Sequence, residues 1–193
     1  MYSVAMSTPE RLIESTQELL WERGYVGTSP RAIQQRAGAG QGSMYHHFKG
    51  KPELALAAIR RSADERQSLA EEQFSGPGTA VERVANYLRR ERDVLRGCPI
   101  GRLTQDPEVV ADPTLRQPVA DTFGHLTLRL TAVLTEGQAL GQLDPELDPA
   151  DTAATIVAVL QGGYVLARAA DSVEPFRRAT EGAIALLAAR ELR

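Results

Sequence analysis

The sequence contains very little cysteine and histidine. Cys98 is the single cysteine among 193 residues, and there are three histidines. One cysteine cannot form an intramolecular disulfide, which agrees with a reducing cytoplasm as the compartment. Four residues of these two types also leave little material for a zinc site of the usual ligand spacing. We therefore expect no metal and no cofactor.

The sequence also lacks segments typical of export or membrane anchoring. Its first six residues, MYSVAM, have neither a basic start nor an apolar stretch, so no signal peptide is predicted. In the most apolar segment, residues 152–170, the strongly polar residues are Gln161 and Arg168 alone. This segment is rich in alanine and follows the acidic stretch LDPELDPAD, which favours a helix buried on two faces over a membrane span. The predicted location is the cytoplasm, with no membrane partner.

No run of alternating apolar and polar residues is long enough to predict a β-sheet. Apolar residues instead recur at helical spacing, which predicts an all-α fold of about nine helices. Capping residues place the first helix between Ser7 or Thr8 and Gly24, and a short second helix between Ser29 and Gly38. The later helices are predicted at Gln41–Phe48, at Lys51–Phe74, around Val81–Leu88, in short pieces within 96–113, around Val119–Val133, from Asp148 and from Glu174.

Acidic residues are absent from one short basic stretch. The chain has a formal net charge of −3, yet residues 31–51, RAIQQRAGAGQGSMYHHFKGK, contain four basic residues and no acidic one. Residues 1–51 carry a net charge of +2 and residues 52–193 a net charge of −5. Such an asymmetry indicates a polyanion as the partner of the N-terminal end.

The same stretch has the pattern of a helix-turn-helix, because two short helices are joined by a glycine turn and the second is polar. At about 100° per residue, Met44 and Phe48 share one face of the third helix and are expected to point to the core. The opposite face presents Gly42, Ser43, Tyr45, His46 and Lys49. Small, hydroxylated, aromatic and basic residues of this kind suit entry into a major groove. Adjacent histidines point about 100° apart on a helix, which disfavours a metal site here.

The segment TSPRAIQQRAGAGQGSMYHHFKGKPEL, residues 28–54, closely resembles the N-terminal signature of the TetR family of transcriptional regulators. In that family an alanine-glycine turn precedes a small residue, leucine or methionine, tyrosine, an aromatic or histidine, histidine and phenylalanine, and then a lysine. Two positions depart from the pattern. Gly40 stands where serine or threonine commonly caps the third helix, and Gln41 stands where lysine is frequent. The missing charge lowers the expected salt dependence of DNA binding by about one counterion.

The resemblance implies a DNA-binding surface and two domains. Ser29 and Arg31 would contact the DNA backbone or a base edge, and Lys51 would hold a phosphate. The groove-reading residues would be Gln41, Gly42, Ser43, Tyr45 and His46. His47 and Phe48 are expected to be structural and to close the small domain. The implied domains are a DNA-binding domain at residues 1–50 and a ligand-binding and dimerisation domain at residues 51–193.

The resemblance further implies a homodimer in which the last two helices of each subunit form a four-helix bundle. The broad apolar surface of the helix from Asp148 to Ala170 favours this arrangement over packing within one subunit alone. The middle helices are implied to enclose a small-molecule pocket, with a mild preference for an apolar or aromatic ligand. The candidate lining residues are Tyr87, Cys98, Leu103, Phe123, Leu126, Gln161 and Tyr164.

The predicted function is therefore a DNA-binding transcriptional regulator. The favoured mechanism is a homodimeric repressor released from its double-stranded DNA operator by a small molecule, with activation left open. One alternative is a repressor that senses electrophiles or oxidants through Cys98, since the nearby cations Arg96 and Arg102 favour a reactive thiolate. Another is a helical dimeric scaffold without DNA binding. No enzyme is predicted, because no nucleophile–base pair or metal cluster occurs at a recognisable spacing.

Overall fold

The computed structural model describes residues 6–192 and shows an all-α protein over that range. Nine α-helices and one short 3-10 helix occur there, which confirms the predicted fold class. The stretch MYSVAM, from which no signal peptide is predicted, lies outside the described residues except for Met6. The α-helices are α1 (Thr8–Arg23), α2 (Pro30–Ala37), α3 (Gln41–His47), α4 (Lys51–Phe74), α5 (Ala80–Arg89), α6 (Pro107–Ala111), α7 (Pro113–Ala139), α8 (Pro149–Ala170) and α9 (Glu174–Ala188), and the 3-10 helix is Gly101–Gln105.

Local capping explains where the first helices begin and end. The backbone N–H of Ser7 donates to the Glu10 carboxylate at 2.7 Å, as in a capping box. The Ser29 hydroxyl accepts from the N–H of Ala32 at 3.2 Å and caps α2. Gly38 ends α2 in the left-handed conformation at φ 59°, which a glycine adopts without strain. These helices therefore begin and end within a residue of their predicted limits.

The chain forms two compact units. The first combines the described part of Met1–Asp64 with Pro99–Ala120, and the second combines Glu65–Cys98 with the described part of Asp121–Arg193. Both α4 and α7 begin in the first unit and end in the second. The boundary between residues 50 and 51, drawn from the resemblance, remains a prediction about functional domains.

In the first unit, a small apolar cluster joins α1, α2, α3 and the start of α4. It consists of Leu12, Leu19, Ile33, Ala37, Met44 and Leu54. Met44 is completely buried, and half-buried Phe48 packs against the same cluster. The inward position predicted for both side chains is therefore present, and it fixes the orientation of α3.

A larger apolar cluster fills the second unit, drawing on α4, α5, α7, α8 and α9. Its aromatic members pack in pairs, with ring centroids 4.8 Å apart for Phe74 and Tyr87 and 4.7 Å apart for Tyr164 and Phe176. Helices α8 and α9 come close together because Gly163 leaves room for Phe176, whose ring would lie 3.0 Å from an added Cβ. Among the described helices, α8 is long and apolar enough to span a membrane, a property shared by core helices of globular proteins. Its inner face packs into this cluster.

Candidate nucleic-acid interface

Helix α3 presents an accessible polar face. The Met44 sulfur on its inner face accepts a hydrogen bond from the Gln34 amide at 3.4 Å. On the outer side, Gln41, Gly42, Tyr45 and His46 are exposed, and Ser43 is half-buried. Tyr45 leaves 49% of its surface accessible, which is high for an aromatic residue and leaves its ring free to contact a partner.

The turn before α3 is made of small residues. Ala39 donates from its backbone N–H to the carbonyl of Gln34 at 3.0 Å, completing the glycine turn after α2. Gly40 caps α3 with no side-chain hydrogen bond. A Cβ added at Gly42 would meet no heavy atom within 4 Å, so packing among the described residues does not require a glycine there. A bare backbone at this position would let a partner approach closely.

The four basic residues of the 31–51 stretch are not equivalent. Arg36 forms an ion pair with Glu22 at 2.8 Å and lies 3.8 Å from Glu18, both on α1. Within residues 6–192, Arg31 is exposed and forms no ion pair. Glu22 and Glu18 therefore neutralise Arg36, and three cations of the stretch remain for a polyanion. The pairing joins α2 to α1 and could not be inferred from the spacing of the charges.

Ser29 caps α2, and Lys51 is the first residue of α4. The Lys51 ammonium is 3.8 Å from the centroid of the Tyr25 ring, a cation–π contact that limits its side-chain positions. The Ser29 hydroxyl accepts from Ala32 but keeps its own proton for donation. Both side chains therefore hold structural contacts while retaining hydrogen-bond donors for phosphate.

A buried carboxylate fastens a distant segment to this part of the first unit. One Asp106 oxygen accepts from the backbone N–H groups of Tyr25 at 2.7 Å and Val26 at 2.9 Å. The other accepts from the N–H groups of Glu108 and Val109 and caps α6. Gly24 is required beside it, since φ is +75° and an added Cβ would lie 2.9 Å from the carboxylate. Asp106 thus joins Pro99–Ala120 to the turn that positions Tyr25 and, through its ring, Lys51.

The structural role predicted for His47 is wrong. Its side chain is exposed, and its ring meets that of His46 edge-on with centroids 4.9 Å apart. Helix α3 ends at His47, and the backbone is extended at Phe48. Of the two residues predicted to close the small domain, Phe48 packs against the apolar cluster and His47 does not. Within residues 6–192, no group of three or more His, Cys, Asp or Glu side chains could hold a metal ion.

The predicted pocket residues are divided between the two units. Tyr87, Leu126 and Tyr164 belong to the large cluster of the second unit, and half-buried Cys98 packs against it. Phe123 and Gln161 are half-buried in the same unit, whereas Leu103 is buried in the first. Arg90, Arg92 and Phe176 lie beside Tyr87 or Tyr164 and were not among the predicted pocket residues. The run LRRER, residues 88–92, shows an unusual density of arginine beside an apolar helix.

The arrangement of α2 and α3 defines a helix-turn-helix DNA-binding protein. It consists of a capped helix, a left-handed glycine turn and a short helix that is buried on its inner face and accessible and polar on its outer face. The family model described as "Bacterial regulatory proteins, tetR family" matches residues 12–58, and "Tetracyclin repressor-like, C-terminal domain" matches residues 79–183. The chain belongs to the TetR family.

Proteins of similar sequence and structure align with most of the chain. An uncharacterised helix-turn-helix regulator of Lactococcus lactis is 25% identical over 169 residues, which cover 83% of each protein. The transcriptional repressor NemR of Escherichia coli is 24% identical over 179 residues, which cover 89% of each protein. The crystal structure of a regulatory protein TetR from Rhodobacter sphaeroides superposes with a TM-score of 0.80 at 26% identity, covering 90% of this chain and 95% of that one.

These similarities confirm the predicted family and its function as a DNA-binding transcriptional regulator. Regulators of this family bind operator DNA and small-molecule effectors, are dimeric, and are typically not enzymes.

Proposed function

We propose that this protein is a cytoplasmic, non-enzymatic homodimeric repressor that holds operator DNA with α3 and releases it when a small molecule binds the second unit. The observation that carries the proposal is the accessible outer face of α3, held in orientation by completely buried Met44. In this proposal, the groove-reading residues are Gln41, Gly42, Ser43, Tyr45 and His46, and the backbone-contacting residues are Ser29, Arg31 and Lys51.

The DNA-binding step is tested on the promoter next to the protein's own gene. Fluorescence anisotropy with that DNA and with a scrambled duplex of equal length is measured from 50 to 300 mM salt. The repressor proposal expects tighter binding to the promoter and a log–log salt slope set by about three phosphate contacts per subunit. Equal, negligible binding to both duplexes at low salt would favour the scaffold alternative.

An apolar outer face on α8 and α9 supports the dimer. Val165 and Leu166 on α8 are 56% and 55% exposed, and Leu186 on α9 is 76% exposed. Added Cβ atoms at Gly162 and Gly182 would meet nothing within 4 Å, so both glycines face open space. The two helices already pack on each other through their inner faces. Their outer faces therefore remain for a second subunit, which small residues allow to approach closely.

The dimer is tested with charge substitutions at two exposed leucines. Leu186→Glu places a carboxylate in the proposed interface and is expected to give monomers in light scattering coupled to size exclusion. Leu140→Glu is the matched control, because Leu140 is 62% exposed and lies outside α8 and α9. A dimeric Leu186→Glu variant would place the interface elsewhere. In a dimer of this kind, the two α3 helices would meet successive major grooves about 34–36 Å apart.

The effector-binding step is proposed for the second unit, around Tyr87, Leu126 and Tyr164, with Cys98, Phe123 and Gln161 as further candidates from that unit. An apolar or aromatic effector is expected from the aromatic side chains. Helix α4, which begins in one unit and ends in the other, offers a continuous element for coupling. A coupling free energy of about 1–3 kcal/mol would weaken operator binding by roughly 5- to 150-fold. Titrating compounds into the protein–promoter complex measures this effect.

A thiol-based response is the second candidate. Cys98 is half-buried and packs against the same cluster as Tyr164, so a modification there would disturb that cluster. Alkylation of the wild type would then weaken promoter binding, while Cys98→Ser would bind the promoter normally and resist alkylation. Unchanged promoter binding after complete alkylation would remove this candidate.

A further inference from the structure

Two arginines follow α5 and lie among aromatic side chains of the second unit. The guanidinium of Arg90 is 5.4 Å from the centroid of the Tyr87 ring, and that of Arg92 is 5.2 Å from the same centroid. The Arg92 guanidinium is also 5.8 Å from the Phe176 ring centroid. The Nε atoms of both arginines are buried and have no hydrogen-bond partner. Within residues 6–192, neither arginine forms an ion pair.

Arg83, a buried arginine of the same unit, has a paired guanidinium although its Nε also lacks a hydrogen-bond partner. Its terminal nitrogens donate to the Glu136 carboxylate at 3.1 Å and to the carbonyl of Phe74 at 3.1 Å. A buried charge is costly unless it is paired, so Arg83 shows the usual structural solution. Arg90 is half-buried and has no comparable partner for its terminal nitrogens.

Helix capping accounts for Arg92 only in part. Its terminal nitrogens donate to the carbonyls of Leu88 at 2.8 Å, Arg90 at 2.9 Å and Tyr87 at 2.5 Å, at the C-terminal end of α5. These bonds satisfy α5 carbonyls and place a cation near the negative end of the helix dipole. The Arg90 side chain makes no hydrogen bond to any residue from 6 to 192. Capping therefore leaves the positive charge of Arg90 unexplained.

The two arginines act electrostatically on each other and on Tyr164. Burial lowers the pKa of Arg92, and the groups whose charges act on it are Tyr164, Arg90 and Tyr87. Burial also raises the pKa of Tyr164 to about 12, with Arg92, Cys98, Arg90 and Tyr87 as its electrostatic neighbours. Two cations therefore lie close together in this region, and neither forms an ion pair with the described chain.

Tyr164 adds a hydrogen-bond donor. At neutral pH its hydroxyl keeps its proton, because its pKa lies far above 7. Within residues 6–192, that hydroxyl makes no hydrogen bond. Its ring packs against Phe176 at 4.7 Å, and Tyr87 packs against Phe74 at 4.8 Å. An unused hydroxyl and an unused guanidinium thus lie among aromatic rings.

We propose that this cluster binds the carboxylate of a small apolar monocarboxylic acid, with Arg90 and Tyr164 as donors and the aromatic rings of Tyr87 and Phe176 around the apolar body. The planar guanidinium fork matches a carboxylate in a bidentate arrangement. A carboxylate monoanion matches the one guanidinium fork and the one hydroxyl proposed as its donors. This inference rests on the proposed function and names the chemical class of its effector.

Binding is measured by isothermal titration calorimetry on the full-length protein with benzoate and octanoate. Benzamide and octanamide serve as uncharged analogues of nearly the same shape. The wild type is expected to bind at least one acid and to bind the corresponding amide at least tenfold more weakly. Equal affinity for acid and amide, or binding of neither acid, would overturn the inference.

Variants assign the effect to Arg90. Arg90→Gln is expected to weaken acid binding about tenfold or more, and Tyr164→Phe severalfold. Arg89→Gln is the matched control, since Arg89 is the neighbouring residue and its guanidinium pairs with Glu181 at 2.6 Å. Arg89→Gln should bind the acid as the wild type does. Equal loss in Arg89→Gln and Arg90→Gln would contradict a specific role for Arg90. Should Arg90→Gln fail to fold by circular dichroism, Arg90→Lys, which keeps the charge but loses the fork, replaces it with the same expectation of weaker binding.

Promoter-binding measurements distinguish failure of the carboxylate inference from failure of the repressor proposal. If the protein binds its promoter and a neutral compound releases it while neither acid does, the carboxylate inference fails and the repressor proposal stands. If the protein binds benzoate or octanoate through Arg90 but does not recognise the promoter, the repressor proposal fails and the carboxylate site stands as a binding site.

Discussion

The two compact units differ in how completely they satisfy their charged side chains. In the first unit, the buried carboxylate of Asp106 accepts four backbone N–H groups, and the fold fully explains its position. In the second, Arg83 pairs with Glu136 and Arg92 caps α5, whereas Arg90 has neither an acidic partner nor a side-chain hydrogen bond within residues 6–192. A charge that the fold satisfies is explained by the architecture, whereas an unsatisfied charge points to a ligand. We therefore expect the effector to bind in the second unit.

The largest expected effect is on the apolar cluster that supports the arginine site. Phe74 is completely buried and packs on Tyr87, so Phe74→Ala should lower the free energy of unfolding by about 3–5 kcal/mol. Leu128→Ala, at a leucine 66% exposed in the same unit, should change it by less than about 0.5 kcal/mol. Urea denaturation followed by circular dichroism measures both. Similar losses would contradict the packing assigned to Phe74.

Breaking the Asp106 junction should have the next largest effect. Asp106→Ala removes the α6 cap and leaves the N–H groups of Tyr25 and Val26 without an acceptor, which should cost about 2–4 kcal/mol. Asp106→Asn retains a good helix cap but points an amide at those donors, so it should cost less, roughly 1–3 kcal/mol. Hydrogen exchange of the Tyr25 and Val26 amides should speed up in both variants. Unchanged protection would show that the junction does not hold this turn.

Sequence recognition by α3 is tested at Tyr45. Tyr45→Ala removes an exposed ring that packs little within the chain, so stability should hardly change. Promoter affinity should fall by about 1–3 kcal/mol, while affinity for scrambled DNA changes less. Anisotropy titrations with the two duplexes measure the difference. Equal losses on both would remove Tyr45 from the groove-reading residues.

The smallest expected effect distinguishes a free cation from a paired one. Arg31→Ala removes an arginine without an ion pair in the described chain, so it should weaken binding to all sequences and lower the salt slope by about one per subunit. Arg36→Ala removes the same charge from an arginine already paired with Glu22 and should leave the slope nearly unchanged. Equal changes in slope would show that the Arg36–Glu22 pair opens on DNA.

Helix limits and the family were predictable from sequence because their signals are local. Ser29 and Gly38 set the ends of α2 through contacts within a few residues. The inward position of Met44 also followed from helical periodicity alone. The prediction for His47 failed because the short helix α3 buries only a narrow face around Met44, which leaves His47 exposed.

Contacts between distant residues could not be inferred in the same way. Tyr25 and Asp106 are 81 positions apart, and nothing in either local pattern indicates that one caps the backbone of the other. The run that contains Arg90 and Arg92 resembles an ordinary solvated charge cluster until the fold places it among aromatic rings. The exposure of the outer face of α3 was thus predictable, whereas the polar interior of each unit required three-dimensional information.

The contact between Lys51 and the Tyr25 ring restricts the lysine side chain before DNA binds, which affects the affinity for DNA. A lysine free in solvent samples many rotamers, and fixing it on a phosphate costs side-chain entropy. Here the ring has already narrowed that sampling before any encounter. If Lys51 binds a phosphate as proposed, part of its side-chain entropy has already been lost during folding. Tyr25 would then increase the affinity for DNA without contacting nucleic acid.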